Sequence, residues 1–176
     1  SLLDDVSIVV TPNGYKAGTL YAAIPKSAEG AEEITNGDFV TDLSGWTLSV
    51  DTPPTWDNGM MKMQSDGATF SRADQSFNTV SGKVYSFVFE KLINTNALQI
   101  KVGTSQGDSS LLDLNVYTIQ TYSYTFTATS SISWIRAEDG SGTTGGYVSG
   151  FSVKESITLA DMDVTRATAA TRVDEN

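Results

Sequence analysis

Three adjacent carboxylate pairs, Asp4-Asp5, Glu32-Glu33 and Glu138-Asp139, are the residues of this chain that come closest to a set for acid–base chemistry. Hydrolysis of a glycosidic bond needs two such groups held about 5 to 10 Å apart around a sugar. Consecutive residues of a strand point to opposite faces, so a neighbouring pair does not converge on one substrate. All three pairs are read as lying in loops or tails, where solvation accounts for them. Histidine and cysteine are both absent. The first absence removes the usual general base, zinc ligand and pH switch. The second removes disulfides and thiolate metal sites. The glycine-rich run Asp139-Gly140-Ser141-Gly142-Thr143-Thr144-Gly145-Gly146 lacks the lysine and following helix of a phosphate-binding loop. It is read as a flexible hairpin tip. The expectation is a protein that is not an enzyme.

Recognition is the chemistry that remains. A sugar is held by exposed aromatic faces against the apolar side of its ring, with amides and carboxylates directed at its hydroxyls. Trp56, which follows Pro53-Pro54-Thr55 in a loop-like context, is the first candidate platform, and Tyr117 and Trp134 come next. The competing reading for each is burial between sheets. Trp134 alternates in phase with Ile132, which favours burial there. For Trp56 both readings stand.

Charge narrows the partners. With 11 basic against 21 acidic residues the formal charge is -10, so the chain has little with which to displace counterions from a phosphate backbone, and nucleic acid is not expected. The acidic residues are scattered, as on a solvated surface. No run of about 18 apolar residues is present, so no membrane insertion is expected. The first residues carry Asp4 and Asp5 rather than the basic start of a signal peptide.

The elements that must position any site read as strands. Tyr85, Phe87 and Phe89 fall on one face of 83–90 while Val84, Ser86 and Val88 fall on the other. Leu98, Ile100 and Val102 alternate with Gln99 and Lys101, and Tyr122, Tyr124 and Phe126 alternate with Ser123, Thr125 and Thr127. Further strands are expected over 46–50, 60–64, 68–72, 112–116, 131–137 and 147–153, with turn-forming clusters between them. No long window in this region has helical apolar spacing. Many short strands with polar turns predict an all-β fold, an antiparallel β-sandwich. Outside it, Ile8–Val10 and Thr19–Ile24 read as extended pieces around the turn Thr11-Pro12-Asn13-Gly14, and over 161–176 the alanines and arginines allow a helix while Val164-Thr165 favours an extended or strand-turn-strand conformation.

Three segments, in order and spacing, carry a resemblance. They are Glu33-Ile34-Thr35-Asn36-Gly37-Asp38-Phe39 followed by Gly45-Trp46, then Lys83-Val84-Tyr85-Ser86-Phe87, and then Gly150-Phe151-Ser152-Val153-Lys154-Glu155. This set resembles the galactose-binding-like jelly roll, which serves as a carbohydrate-binding module in secreted glycosidases and as an inserted module in phage structural proteins. It brackets residues 33–157, with Phe39 and Trp46 expected in the core. The flanks, Ser1-Leu2-Leu3-Asp4-Asp5 running into Tyr15-Lys16-Ala17-Gly18-Thr19-Leu20-Tyr21, and Val164-Thr165-Arg166-Ala167-Thr168-Ala169-Ala170-Thr171-Arg172-Val173, resemble the amino-terminal segment of tailed-phage fibre and other virion proteins.

The resemblance implies an anchoring segment over 1–26, a linker over 27–33, the jelly roll over 34–157, and a continuation of the anchor over 158–176. It implies a virion location, capsid or tail proteins as partners, a symmetric dimer or trimer, and a display module for protein packing or adhesion to a host-surface glycan. In that family the chain continues past the position of Asn176. The alternative is a carbohydrate-binding module of a secreted polysaccharide-degrading enzyme. Relatives in glycosidases often hold a structural calcium near the sheet edge, and Asp38 and Glu155 occupy roughly those ends. Lys154 stands where calcium-binding members tend to show a second acid. No other cofactor is expected.

Overall fold

A computed structural model describes residues 6–8, 24–25, 28–93, 97–140 and 145–157. The expectations for 1–5, 9–23 and 158–176 lie outside them. The strands, in chain order, are β1 (Val6–Ile8), β2 (Ile24–Pro25), β3 (Ala28–Glu32), β4 (Thr47–Leu48), β5 (Thr55–Trp56), β6 (Met61–Met63), β7 (Ser71–Asn78), β8 (Val84–Ile93), β9 (Leu98–Gly103), β10 (Leu112–Val116), β11 (Gln120–Thr127), β12 (Ile132–Asp139) and β13 (Gly146–Ile157). Among the described residues there is no helix. The chain divides into two units, one of Ser1–Ala28 with Ile157–Asn176 and one of Glu29–Ser156. In the first, β1 and β2 pair antiparallel. The second is a β-sandwich.

Its two sheets follow from the alternation in the sequence. One is five-stranded in the order β10-β9-β12-β7-β4, and the other runs β11-β8-β13-β6-β5 with β3 also paired to β13. The ladders of both are antiparallel. Tyr85, Phe87 and Phe89 of β8 are buried and face Leu98, Ile100 and Val102 of β9 and Ile135 and Ala137 of β12 across the core. Each such fully buried large apolar side chain contributes roughly 1.5–3 kcal/mol relative to exposure. Phe39, Trp46 and Phe151 close one part of this core, with ring centroids 5.6 Å apart for Phe39–Trp46 and 5.1 Å for Trp46–Phe151.

The first segment of the resemblance, from Glu33 to Phe39, is not a strand. Asn36 and Phe39 both take positive φ, 50° and 49°, so the chain bends twice before Trp46. Asn36 stabilises the bend by donating from Nδ2 to the carbonyls of Asp42 and Ser44. The segment still joins the closing strand, through Glu33 N–H to the Val153 carbonyl (2.9 Å) and Phe151 N–H to the Gly37 carbonyl (3.0 Å). Gly37 is required there, because a Cβ would stand 1.9 Å from the Phe151 carbonyl oxygen.

Three further expectations are corrected. The stretch 27–33, read as a linker from its small polar residues, contains β3, which adds to β13. Glu32 accepts from the Ser152 hydroxyl and the Val153 N–H, so its carboxylate knits two strands together. The strand expected over 68–72 runs instead over Ser71–Asn78, where Asp74, Gln75, Ser76 and Asn78 disguise it. Gln75 faces inward and is satisfied by the backbone of Thr35 and Gly45. The glycine-rich run, read as a hairpin tip, stands between β12 and β13, which belong to different sheets and so form no hairpin; its residues 141–144 lie outside the described ones.

Candidate glycan-binding face

The outward side of the five-stranded sheet carries a row of charged side chains. Ser71, Ala73, Gln75 and Phe77 of β7 and Ser133, Ile135, Ala137 and Asp139 of β12 are buried toward the core. The intervening residues therefore face out, and register sets Arg136 opposite Asp74 and Glu138 opposite Arg72. On the other flank of β12, Lys101 of β9 lies opposite Arg136 and Gln99 opposite Glu138.

These side chains lock one another. Arg136 donates from Nε to Asp74 Oδ1 (2.7 Å) and from Nη2 to Oδ2 (3.1 Å), a bidentate pair. Gln106 Nε2 adds a bond to Asp74 Oδ2 at 3.0 Å. Lys101 Nζ donates to Glu138 Oε1 at 2.7 Å, and Arg72 Nε lies 3.4 Å from Glu138 Oε2. The hydrogen bonds to Asp74 raise the Arg136 guanidinium above its ordinary pKa, and the charges of Asp74 and Glu138 act in the same direction. Gly107 lies against this guanidinium, since a Cβ there would meet Arg136 Nη1 at 2.6 Å.

A cleft of about 450 Å³ opens over this row, lined by Asp51, Phe70, Arg72, Asp74, Gln106 and Arg136 among others. Phe70 supplies its aromatic ring, 42% exposed, with the Arg72 guanidinium 4.9 Å from its centroid. Phe70 also lines a smaller hollow of about 160 Å³ together with Gln99, Asn115 and Glu138. An aromatic face beside fixed, planar donors and acceptors is the equipment that a sugar ring requires. The carboxylate oxygens of Asp74 and Glu138 are turned to protein cations.

Of the residues singled out in the sequence, Trp134 shares this outward face, and neither it nor Trp56 nor Tyr117 lines the cleft. Trp56 lies on β5 at the far edge of the other sheet, 44% exposed, its indole N–H donating to the Phe39 carbonyl at 2.7 Å. Tyr117 follows β10 and is exposed. Trp134 is half-buried on the outward face of β12, opposite Ser76 and Gly103. The burial favoured for it fails because Ser133, Ile135 and Ala137 form the inward row, leaving Ile132 exposed in phase with Trp134. Glu138 and Asp139 are not in a loop. They end β12, both buried, on opposite faces.

Asp38 and Glu155, the pair considered for calcium, lie apart. The Asp38 carbonyl accepts from Ser149, while Glu155 lies six residues further along β13 and pairs with Lys83 at 3.0 Å. At about 3.3 Å per residue that separation is on the order of 20 Å. Among the described residues no group of three or more metal-ligating side chains is assembled. The residues that sequence reasoning missed are Phe70, Arg72, Asp74, Gln106 and Arg136. Their signal was the period-two alternation of Arg72 with Asp74 and of Arg136 with Glu138.

No protein-family profile matches the chain, and no curated protein matches it in sequence. Solved structures do match in fold. TmCBM61, determined in complex with β-1,4-galactotriose, superposes with a TM-score of 0.51 at 11% identity, over 70% of this chain and 98% of that one. The arabinose-bound α-L-arabinofuranosidase MgGH51 gives 0.52 at 14% identity over 72% of this chain. The match spans only 27% of that enzyme's length. A structure described as CBM4 gives 0.48 at 15% identity, over 73% and 99% of the two chains. The fold is thus an antiparallel β-sandwich of the jelly-roll kind found in carbohydrate-binding modules.

Proposed function

We propose that Glu29–Ser156 is a non-catalytic glycan-binding module whose sugar lies on the outward face of the five-stranded sheet, stacked on Phe70 and hydrogen-bonded by Arg72, Gln106 and Arg136, with Asp74 holding Gln106 and Arg136 in place. The observation that carries this reading is the cleft itself, with an exposed ring beside a row of charged groups locked by mutual bonds. Because these groups are preorganised, binding costs little side-chain entropy. The cations in the row are matched by carboxylates, which favours neutral over acidic sugars. The fold shared with TmCBM61 is consistent with the reading, and fold alone does not assign function.

The test is a glycan array probed with the native chain and with Phe70→Ala. The native chain binds a set of neutral oligosaccharides. The variant keeps its melting temperature and loses about tenfold or more in affinity, near 1.4 kcal/mol. Binding that is unaffected by the substitution refutes the placement.

A second reading concerns where the module is carried. The two flanks, Ser1–Ala28 and Ile157–Asn176, fall in one unit, as expected when a domain is inserted into a segment that anchors it. With the flank resemblance, this supports display on a phage particle, with capsid or tail proteins as neighbours. Mass spectrometry of purified virions tests it. The alternative, a module attached to a secreted polysaccharide-degrading enzyme, predicts a catalytic domain on the same polypeptide.

A further inference from the structure

The edges of the sandwich are unequally guarded. An edge strand exposes unpaired N–H and C=O groups, and proteins blunt it with short strands, charges, proline or bulges. β4 and β5 have two residues each, and β5 follows Pro53-Pro54. β10 carries Asp113, and β3 carries Glu29 and Glu32. β11 has none of these devices. It is 8 residues long, its register with β8 runs unbroken from Gln120 to Thr127, and its sequence QTYSYTFT has no charge and no proline. The chain is free of charged residues from Leu114 to Ile135.

We propose that β11 pairs antiparallel with β11 of a second copy, joining two six-stranded sheets across a twofold axis at Tyr124. The strand is self-complementary about that residue. Ser123 then faces Thr125, Tyr122 faces Phe126 and Thr121 faces Thr127, so hydroxyls meet hydroxyls on one face and aromatic rings meet on the other. Both kinds of cross-strand pair are favourable. Tyr122 and Tyr124, stacked at 6.4 Å and half-buried, gain cover from the partner's rings. A charged partner finds nothing to hold on this edge, whereas a second copy matches it along its length. An isologous contact of this kind closes at two subunits. Because each copy carries -10, added salt screens the long-range repulsion and strengthens the pair.

Sedimentation velocity of the full chain over a concentration series tests this. The native protein is expected to be a monomer–dimer equilibrium shifted toward dimer by salt. Ser123→Lys with Thr125→Lys sets like charges opposite one another and is expected to weaken dimerisation by about tenfold or more at an unchanged circular dichroism spectrum. Asp113→Lys on the β10 edge is expected to leave it unchanged. Should the double variant fail to fold, Tyr124→Cys in this cysteine-free chain gives a separate readout, a disulfide-linked dimer under mild oxidation. A native chain that stays monomeric, a dimer indifferent to the lysines, or no cross-link at residue 124 overturns the proposal. None of these outcomes depends on sugar binding.

Discussion

Asp108 shows how one carboxylate organises a loop. Its oxygens accept from the hydroxyls of Ser110 and Thr104 and from the backbone N–H groups of both residues. Those bonds, led by the Ser110 hydroxyl, pull its pKa from 3.8 down to about 2. The folded value is depressed, so the stabilisation is fully present above pH 3.8 and is lost as pH falls through about 2. An NMR titration of the Asp108 carboxyl is expected to give a midpoint clearly below that of an unfolded aspartate, and Ser110→Ala is expected to raise it. Gly37 makes a different demand, since a Cβ there would overlap the Phe151 carbonyl. Gly37→Ala must displace the closing strand and is expected to cost about 3 kcal/mol in a denaturant melt.

At the scale of elements, the most exacting feature is two buried, electrostatically coupled charges inside the sandwich. Lys91 of β8 and Asp139 at the end of β12 are both fully buried. Burial pushes the Lys91 ammonium below its ordinary pKa, and the charge of Asp139 acts the other way. Removing one member leaves the other charged in a low dielectric, so Lys91→Met is expected to destabilise by roughly 3–5 kcal/mol, read from the shift of a urea melting midpoint. Replacing both residues with apolar ones is expected to recover much of that loss. This pair was not legible in the sequence, where Asp139 read as a loop acid and Lys91 followed an apparent strand end at Glu90. The apolar strands were legible, because β8, β9 and β11 alternate with a period of two and β10 falls where its residues predict. β7 and β3 were not, because their polar side chains are satisfied by partners far along the chain, Thr35 and Gly45 for Gln75 and the closing strand for Glu32. The same blindness hid the cleft. Arg72, Asp74 and Arg136 acquire meaning only once register places β7 beside β12, whereas Trp56 stands out in the sequence as a solitary aromatic and lies on the other sheet.

At the scale of the whole molecule, a sandwich exposes two sheet faces and its edges, and here they are equipped differently. The outward face of the five-stranded sheet carries ionic partners, a ring and a cleft, whereas β11 at the edge of the other sheet carries hydroxyls and aromatics without charge. Two such modules joined at β11 would present two clefts, which raises the apparent affinity for a repeating polymer wherever both sites are engaged together. The net charge of -10 argues that electrostatic attraction does not bring a polyanion to either surface. Glycan binding is assigned to the cleft at Phe70. Its most direct test follows backbone amide shifts by NMR while neutral oligosaccharides, β-1,4-galactotriose among them, are titrated into the native chain. Saturable shifts are expected, centred on Phe70, Arg72, Asp74, Gln106 and Arg136. Shifts centred on Trp56 or Tyr117, or none with any sugar tried, would contradict it.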